Sequence, residues 1–312
     1  MTHRSVEIVD VSARDGLQNE SRIFSLDEKI VLIEKSIQSG FKRLEVASFV
    51  HPKRVPQMAG AEELIAALPD SLGVTFIGLV MNMRGVERAL STKIDEIGCV
   101  CVATDTFADK NQGVKAWESV EIAKQMIGRA LSDGRSANVT IGAAFGCPFE
   151  GEVTHSHVVD MAKALAEAGP HEIALADTIG CGDPWAVEAL FGKVKAALPN
   201  ISLRGHFHNT RNTGFANAYA AYKVGVKTLD VSIGGIGGCP FAPNATGNIA
   251  AEDLIYMFSR QGIETGINLS KVISASNWLS DVMEQELPAL VSRAGVFPKS
   301  CLLYTSPSPR DS

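Results

Sequence analysis

His206 and His208 stand two residues apart in the segment ISLRGHFHNT. A β-strand turns successive side chains to opposite faces, so residues i and i+2 share one. A strand over Ile201–His208 therefore points both imidazoles the same way, where they can grip one cation. Neutral imidazole is a good ligand for a divalent metal. Taken alone, such a pair is more often two unrelated polar residues at a strand end. Here other ionisable residues fall at equivalent points of a repeating pattern, and the pattern decides the reading.

That pattern alternates short β-branched runs with longer helical ones. Strands are expected at Val6–Val11, Arg43–Ala47, Val74–Val80, Glu96–Val102, Asn138–Ala144, Glu172–Ala176, Ser202–His208 and Thr228–Ser232. Helices are expected at Asp27–Gln38, Gly60–Ala67, Met83–Leu90, Ala116–Leu131, His155–Ala168, Pro184–Ala197, Thr213–Val224 and Ala251–Phe258. Several strand segments are continuous apolar runs, as parallel strands buried on both faces require. Strands each followed by a helix, over about 250 residues, match an α/β fold of the (β/α)8 TIM-barrel type. The structural alternative is a doubly wound open sheet. That fold usually carries G-x-G-x-x-G after its first strand, and no such turn is present there. Asn268–Ser292 reads as extra C-terminal helix appended to the barrel. Residues 1–299 are thus expected to form one barrel domain. The tail, 300–312, contains Ser-Pro-Ser-Pro, cannot continue a helix and has no period. It is expected to be disordered or foreign sequence.

A barrel of this kind keeps its active site at the C-terminal ends of its strands. Arg14, Asp15 and Gln18 follow the first strand, Glu45 and Ser48 the second, Asp177 and Thr178 the sixth, and the histidines the seventh. Beyond the eighth lies the run Gly234–Asn248, GGIGGCPFAPNATGN, holding Cys239 among loop formers. Each feature has a plain explanation: a surface ion pair, a buried partner for a lysine, a turn. Together they supply a carboxylate, two imidazoles and an amide at one mouth. That set suits an octahedral Mg2+ or Mn2+ with positions left for substrate oxygens. Zinc usually takes more nitrogen and sulfur ligands. The glycine run has no Walker lysine for a phosphate. A mobile loop carrying one reactive thiol fits it better, whereas Cys99 and Cys101 inside an apolar strand read as inert core.

The chain has 312 residues, 46% of them apolar, and a formal charge of −6. The acidic balance argues against a general nucleic-acid surface. No apolar run is long enough to span a bilayer. The N-terminus enters a strand pattern almost at once, leaving no room for a signal or transit peptide. Cysteines at 99, 101, 147, 181, 239 and 301 show no C-x-x-C spacing, so a reduced cytoplasm is expected.

The stretches VEIVDVSARDGLQNE, LEVASFVHPKRVPQM, FGCPFEGEV, ALADTIG, HFHNT and GGIGGCPFAPNATGN resemble the 3-hydroxy-3-methylglutaryl-CoA lyase family, from Val6 to roughly Lys299. The Arg-Asp and H-x-H motifs are shared with isopropylmalate and homocitrate synthases, while RDGLQNE and the glycine loop are specific to the lyase. The resemblance implies that Asp15, His206, His208 and Asn248 are metal ligands. It makes Arg14 the arginine that stabilises the enolate, Glu45 its support, and Cys239 the thiol that protonates the acetyl-CoA carbanion. Gln18, Ser48, Asp177 and Thr178 are expected at the substrate. It implies an acyl-CoA substrate, one divalent cation and a homodimer. One departure stands out: the lyase commonly has H-x-H-D-T, and this chain has Asn209 in place of the acid. That exchange is expected to alter the surroundings of the metal. His51, Arg211 and Asn212 are candidate marks of a subgroup with another acyl group; a lyase for citramalyl-CoA or a similar branched 3-hydroxyacyl-CoA is the alternative.

Overall fold

The first strand is too short to reach across a domain by itself, yet every one of its apolar residues is buried. Its neighbours on both edges explain that. It pairs in parallel with the second strand and with the eighth, where Glu7 lies opposite Thr228. The computed structural model describes residues 4–70, 73–238 and 247–297. In it the strands β1 (Glu7–Asp10), β2 (Arg43–Ser48), β3 (Thr75–Val80), β4 (Glu96–Val102), β5 (Ser136–Gly142), β6 (Glu172–Asp177), β7 (Ser202–Phe207) and β8 (Thr228–Val231) close into a barrel in chain order. All the expected strands form, with ends shifted by at most two residues. β2 and β6 are buried at every position, their charged residues Arg43, Glu45, Glu172 and Asp177 included.

Helices pack around the barrel: α1 (Leu26–Ser39), α2 (Ala61–Ala67), α3 (Met83–Leu90), α4 (Asp105–Gln112), α5 (Ala116–Ser132), α6 (His155–Ala166), α7 (Pro184–Ala197), α8 (Gly214–Lys223), α9 (Ala251–Ser259), α10 (Leu269–Met283) and α11 (Val291–Ala294). Local chemistry starts several of them. Ser25 and Glu28 exchange side-chain and backbone hydrogen bonds in a capping box at α1. Asp183 accepts from Trp185 N and Ala186 N at α7, with Pro184 in the first turn.

Two elements differ from expectation. α4 was not expected, because DTFADKNQ is short and mostly polar; only Phe107 and Ala108 of it are buried. The appended helix does not run to Ser292. It ends at Met283, Glu284 turns into the left-handed region at φ 53°, and a short α11 follows. Pro288 cannot donate a helical hydrogen bond. Instead Ala289 N–H donates to Gly234 O at 3.1 Å, holding this segment against the turn after β8.

The lower barrel interior is ionic rather than apolar. Arg43 donates to Glu96 Oε1 at 2.8 Å and Glu172 Oε2 at 3.0 Å, and Arg204 lies 3.4 Å from both Glu172 and Asp230. Such a layer is tolerated because each buried charge meets an opposite one. Cys239 and the tail 300–312 lie outside the described residues. No helix among the described residues is long and apolar enough to cross a membrane.

Candidate functional site

Strand alternation builds the mouth of the barrel. On β7, Arg204, His206 and, just past its end, His208 follow at i, i+2 and i+4, so all three turn inward. Their rings tilt together with Nε2 atoms 3.1 Å apart. β1 ends in a wide turn, Ser12–Gly16, in which Gly16 N–H reaches back to Val11 O at 3.1 Å. Widened turns of this kind often mark functional sites. This one delivers Asp15, whose Oδ2 lies 3.9 Å from His206 Nε2 and 3.7 Å from His208 Nε2. Asp15, His206 and His208 are the one such group among the described residues whose ligand atoms converge closely enough to hold a metal ion.

Asn248 joins them through backbone pairing. His208 and Asn248 face each other in an antiparallel bridge, flanked by Asn209 N–H to Gly247 O at 3.0 Å and Ile249 N–H to Phe207 O at 3.1 Å. The Asn248 Nδ2 donates to Asp15 Oδ2 at 2.8 Å. Its Oδ1 is buried without a hydrogen-bond partner. A buried carbonyl oxygen left open beside a carboxylate and two imidazoles fits a hard cation that would complete it. Glycine is required at the base of this loop: Gly237 has φ +117°, and a Cβ there would sit 2.8 Å from Asn248 Nδ2.

Arg14 bridges two carboxylates, with Asp15 Oδ1 and Glu45 Oε2 each at 2.6 Å. Burial by itself would lower the guanidinium pKa, but Glu45 and Asp15 outweigh it and raise it above its ordinary value. Burial likewise works to raise Asp15; the charge of Arg14 and the two histidines hold it well below the usual carboxylate range. His206 donates from Nδ1 to Asp230 Oδ2 at 3.0 Å. Burial pulls the His206 pKa down, yet that hydrogen bond and the Asp15 charge carry it above its ordinary value. With Nδ1 engaged by Asp230, Nε2 is the ring nitrogen left to face Asp15 and His208.

The expected substrate residues separate. Gln18 and Thr178 border the cavity that holds Arg14 and the histidines; Ser48 and Asp177 do not. Asp177 follows inward-facing Ala176 and so turns outward. Its carboxylate accepts from Cys181 N at 2.8 Å and Gly182 N at 2.9 Å, shaping the loop after β6. Burial still raises its pKa. The Ser48 hydroxyl is buried without a partner. The Asn209 side chain is engaged at the start of α8, where its Oδ1 accepts from Gly214 N at 3.1 Å. The acid that does touch an imidazole is Asp230, which sequence reading passed over. Its one signal is a carboxylate inside the buried strand TLDV. Asn19 was also missed; its Nδ2 donates to Gly238 O at 2.8 Å and ties the Arg-Asp turn to the glycine-rich loop. His51, Arg211 and Asn212 do not border the cavity. Arg211 instead donates to the carbonyls of Ile179 and Gly180.

Comparison with known proteins agrees with this geometry. The HMGL-like family model matches residues 5–279. The chain is 42% identical to the (R)-citramalyl-CoA lyase of Chloroflexus aurantiacus, covering 95% of this chain and 96% of that protein. It is 37% identical to a hydroxymethylglutaryl-CoA lyase of Bacillus subtilis, over 92% of this chain and 96% of the relative. The structure of an HMG-CoA lyase from Acinetobacter baumannii, in complex with coenzyme A and 3-methylmalate, superposes with a TM-score of 0.90 at 34% identity, covering 95% of this chain and 97% of that one. These relatives are carbon–carbon lyases, and the chain, matched over most of its length, belongs to the HMGL-like family.

Proposed function

We propose that this protein cleaves 3-hydroxy-3-methylglutaryl-CoA into acetoacetate and acetyl-CoA by a metal-dependent retro-Claisen reaction. The observation that carries the reading is the convergence of the ligand atoms of Asp15, His206 and His208, with Asn248 hydrogen-bonded to Asp15 and its Oδ1 left unpartnered, beside the buried Arg14. These four residues would hold Mg2+ or Mn2+. When bound, the cation supplies Lewis acidity that lowers the pKa of the carbinol hydroxyl.

The chain's own residues do the rest. Asp15 and His206 are the bases facing the cavity, and one of them takes the hydroxyl proton. The carbinol C–O becomes the ketone as the C–C bond breaks, and its electron pair passes into the thioester as an enolate. Arg14, fixed by Asp15 and Glu45, places a permanent positive charge against that oxygen. A preorganised donor of this kind contributes on the order of 3 kcal/mol. Cys239 gives its thiol proton to the carbanion carbon, and the proton held by the base returns to the thiolate. Gln18 and Thr178 border the space where the acyl group would lie. A homodimer and a cytoplasmic setting belong to the same reading.

The second reading is cleavage of (R)-citramalyl-CoA, which would release pyruvate in place of acetoacetate. The 42% identity to the Chloroflexus enzyme favours it. Incubation with each thioester in Mg2+, with assay of acetyl-CoA and both keto acids, separates the two. Condensation of acetyl-CoA with a 2-oxoacid in place of cleavage would mean a synthase. No turnover of either thioester, with CoA esters still bound, would mean a binding barrel.

A further inference from the structure

Buried ion pairs seldom stabilise a fold more than apolar residues of similar volume would. The charged column inside this barrel therefore calls for another role, and its upper end supplies one. The two histidines are supported unequally. His206 Nδ1 is hydrogen-bonded to Asp230 Oδ2 at 3.0 Å, while His208 Nδ1 is buried and finds no hydrogen-bond partner among the described residues. His206 is thus the imidazole whose ring is set in advance of any cation, and Asp230 sets it.

Asp230 is itself held. Its second oxygen, Oδ1, lies 3.4 Å from Arg204 Nε, and neither atom closes a hydrogen bond among the described residues. The attraction is therefore between charges rather than along one bond direction. Arg204 is in turn anchored on two other strands. Its Nη2 donates to Asn138 Oδ1 at 3.2 Å on β5, and its Nη1 lies 3.4 Å from Glu172 Oε2 on β6. Those partners are fixed as well: Asn138 Nδ2 donates to Glu96 Oε1, and Arg43 donates to both Glu96 and Glu172. All of these side chains are buried, so solvent ions screen the column weakly. Resting on the metal reading above, we infer that Arg204 is a positioning residue for the cation: it fixes the Asp230 carboxylate, which fixes the His206 imidazole. The rest of the column holds Arg204 in place.

The test titrates Mn2+, followed by its EPR signal, into the wild type, Arg204→Gln, Arg204→Lys, Asp230→Asn and the double variant Arg204→Gln/Asp230→Asn. Arg204→Gln should weaken Mn2+ binding about 10-fold, the lower end of what losing an outer partner of a metal ligand costs. Arg204→Lys keeps the charge and should keep most of the affinity, because the hold on Asp230 is ionic. Asp230→Asn leaves no carboxylate to hold, so adding Arg204→Gln to it should change the affinity little. Should Arg204→Gln not fold, Arg204→Gln/Glu172→Gln removes one charge of each sign from the column and carries the same comparison. Wild-type affinity in Arg204→Gln overturns the inference and leaves the metal reading standing. So does an equal loss with and without Asp230, which would mark a general disturbance of the fold. An affinity as low in Arg204→Lys as in Arg204→Gln also overturns it, since a held charge is its basis. A wild-type protein that binds no Mn2+ overturns both.

Discussion

His206 and Asp230 are joined by a hydrogen bond of 3.0 Å in which both partners are buried. Arg204 lies beneath, 3.4 Å from the other Asp230 oxygen, so the carboxylate is held from below while it holds the imidazole above. Burial by itself would raise the Asp230 pKa, but Arg204 and His206 lower it, and the group stays ionised as an acceptor.

This relationship makes Asp230 a positioning residue for a metal ligand. Asp230→Asn keeps the shape and removes the charge that fixes the His206 tautomer. Loss of such a partner costs about 10- to 100-fold in metal affinity. Titration with Mn2+ followed by its EPR signal measures this directly, without turnover. An affinity equal to wild type would show that the imidazole needs no support from β8.

Arg14→Gln removes the charge facing the proposed enolate and leaves Asp15 and Glu45 without their shared cation. The expected loss is in kcat, roughly 100-fold or more. If steady-state kinetics showed only KM rising, Arg14 would bind substrate without stabilising the transition state.

Cys239→Ser retains the side-chain shape but replaces a thiol with a much weaker acid. Metal binding should persist while kcat falls by orders of magnitude, because only proton delivery to carbon is impaired. Near-normal kcat, with acetyl-CoA still formed, would reassign that proton to water or His206.

Glu252 supplies a pH prediction. Its carboxyl is buried at the start of α9, where burial pushes the pKa up to about 7 against hydrogen bonds from Ser276, Gly234 N–H and Ser292. The folded value lies above the ordinary 4.5, so the native state holds a proton that the unfolded chain has already lost. Stability contributed by that proton is present below pH 4.5 and is lost as pH rises to about 7. By linkage the loss is about 3 kcal/mol. Chemical denaturation across this range should show a shallower decline in Glu252→Gln than in wild type. Parallel slopes in the two proteins would mean that Glu252 titrates near its ordinary value.

The strands, most helices and the inward pairing of His206 with His208 were legible in the sequence, because side-chain period is a local property of the backbone. The C-terminal ends of β1, β2 and β7 could likewise be read as one mouth once the repeat was recognised. Asp177 shows where local reading stopped short. It sits at a strand end like the others, but its phase relative to Ala176 turns it to two backbone N–H groups and out of the cavity. Only the tertiary structure placed Asp230 under His206, because the contact crosses from β8 to β7 and depends on barrel closure. It alone set Asn248 against His208, through a bridge between the residue just past β7 and the segment ahead of α9. α4 and its Phe107 likewise entered the cavity wall without a sequence signal, since a short polar helix gains its stability from the barrel it packs on. Local pattern decides which face a residue takes, and closure of the barrel decides what that face meets.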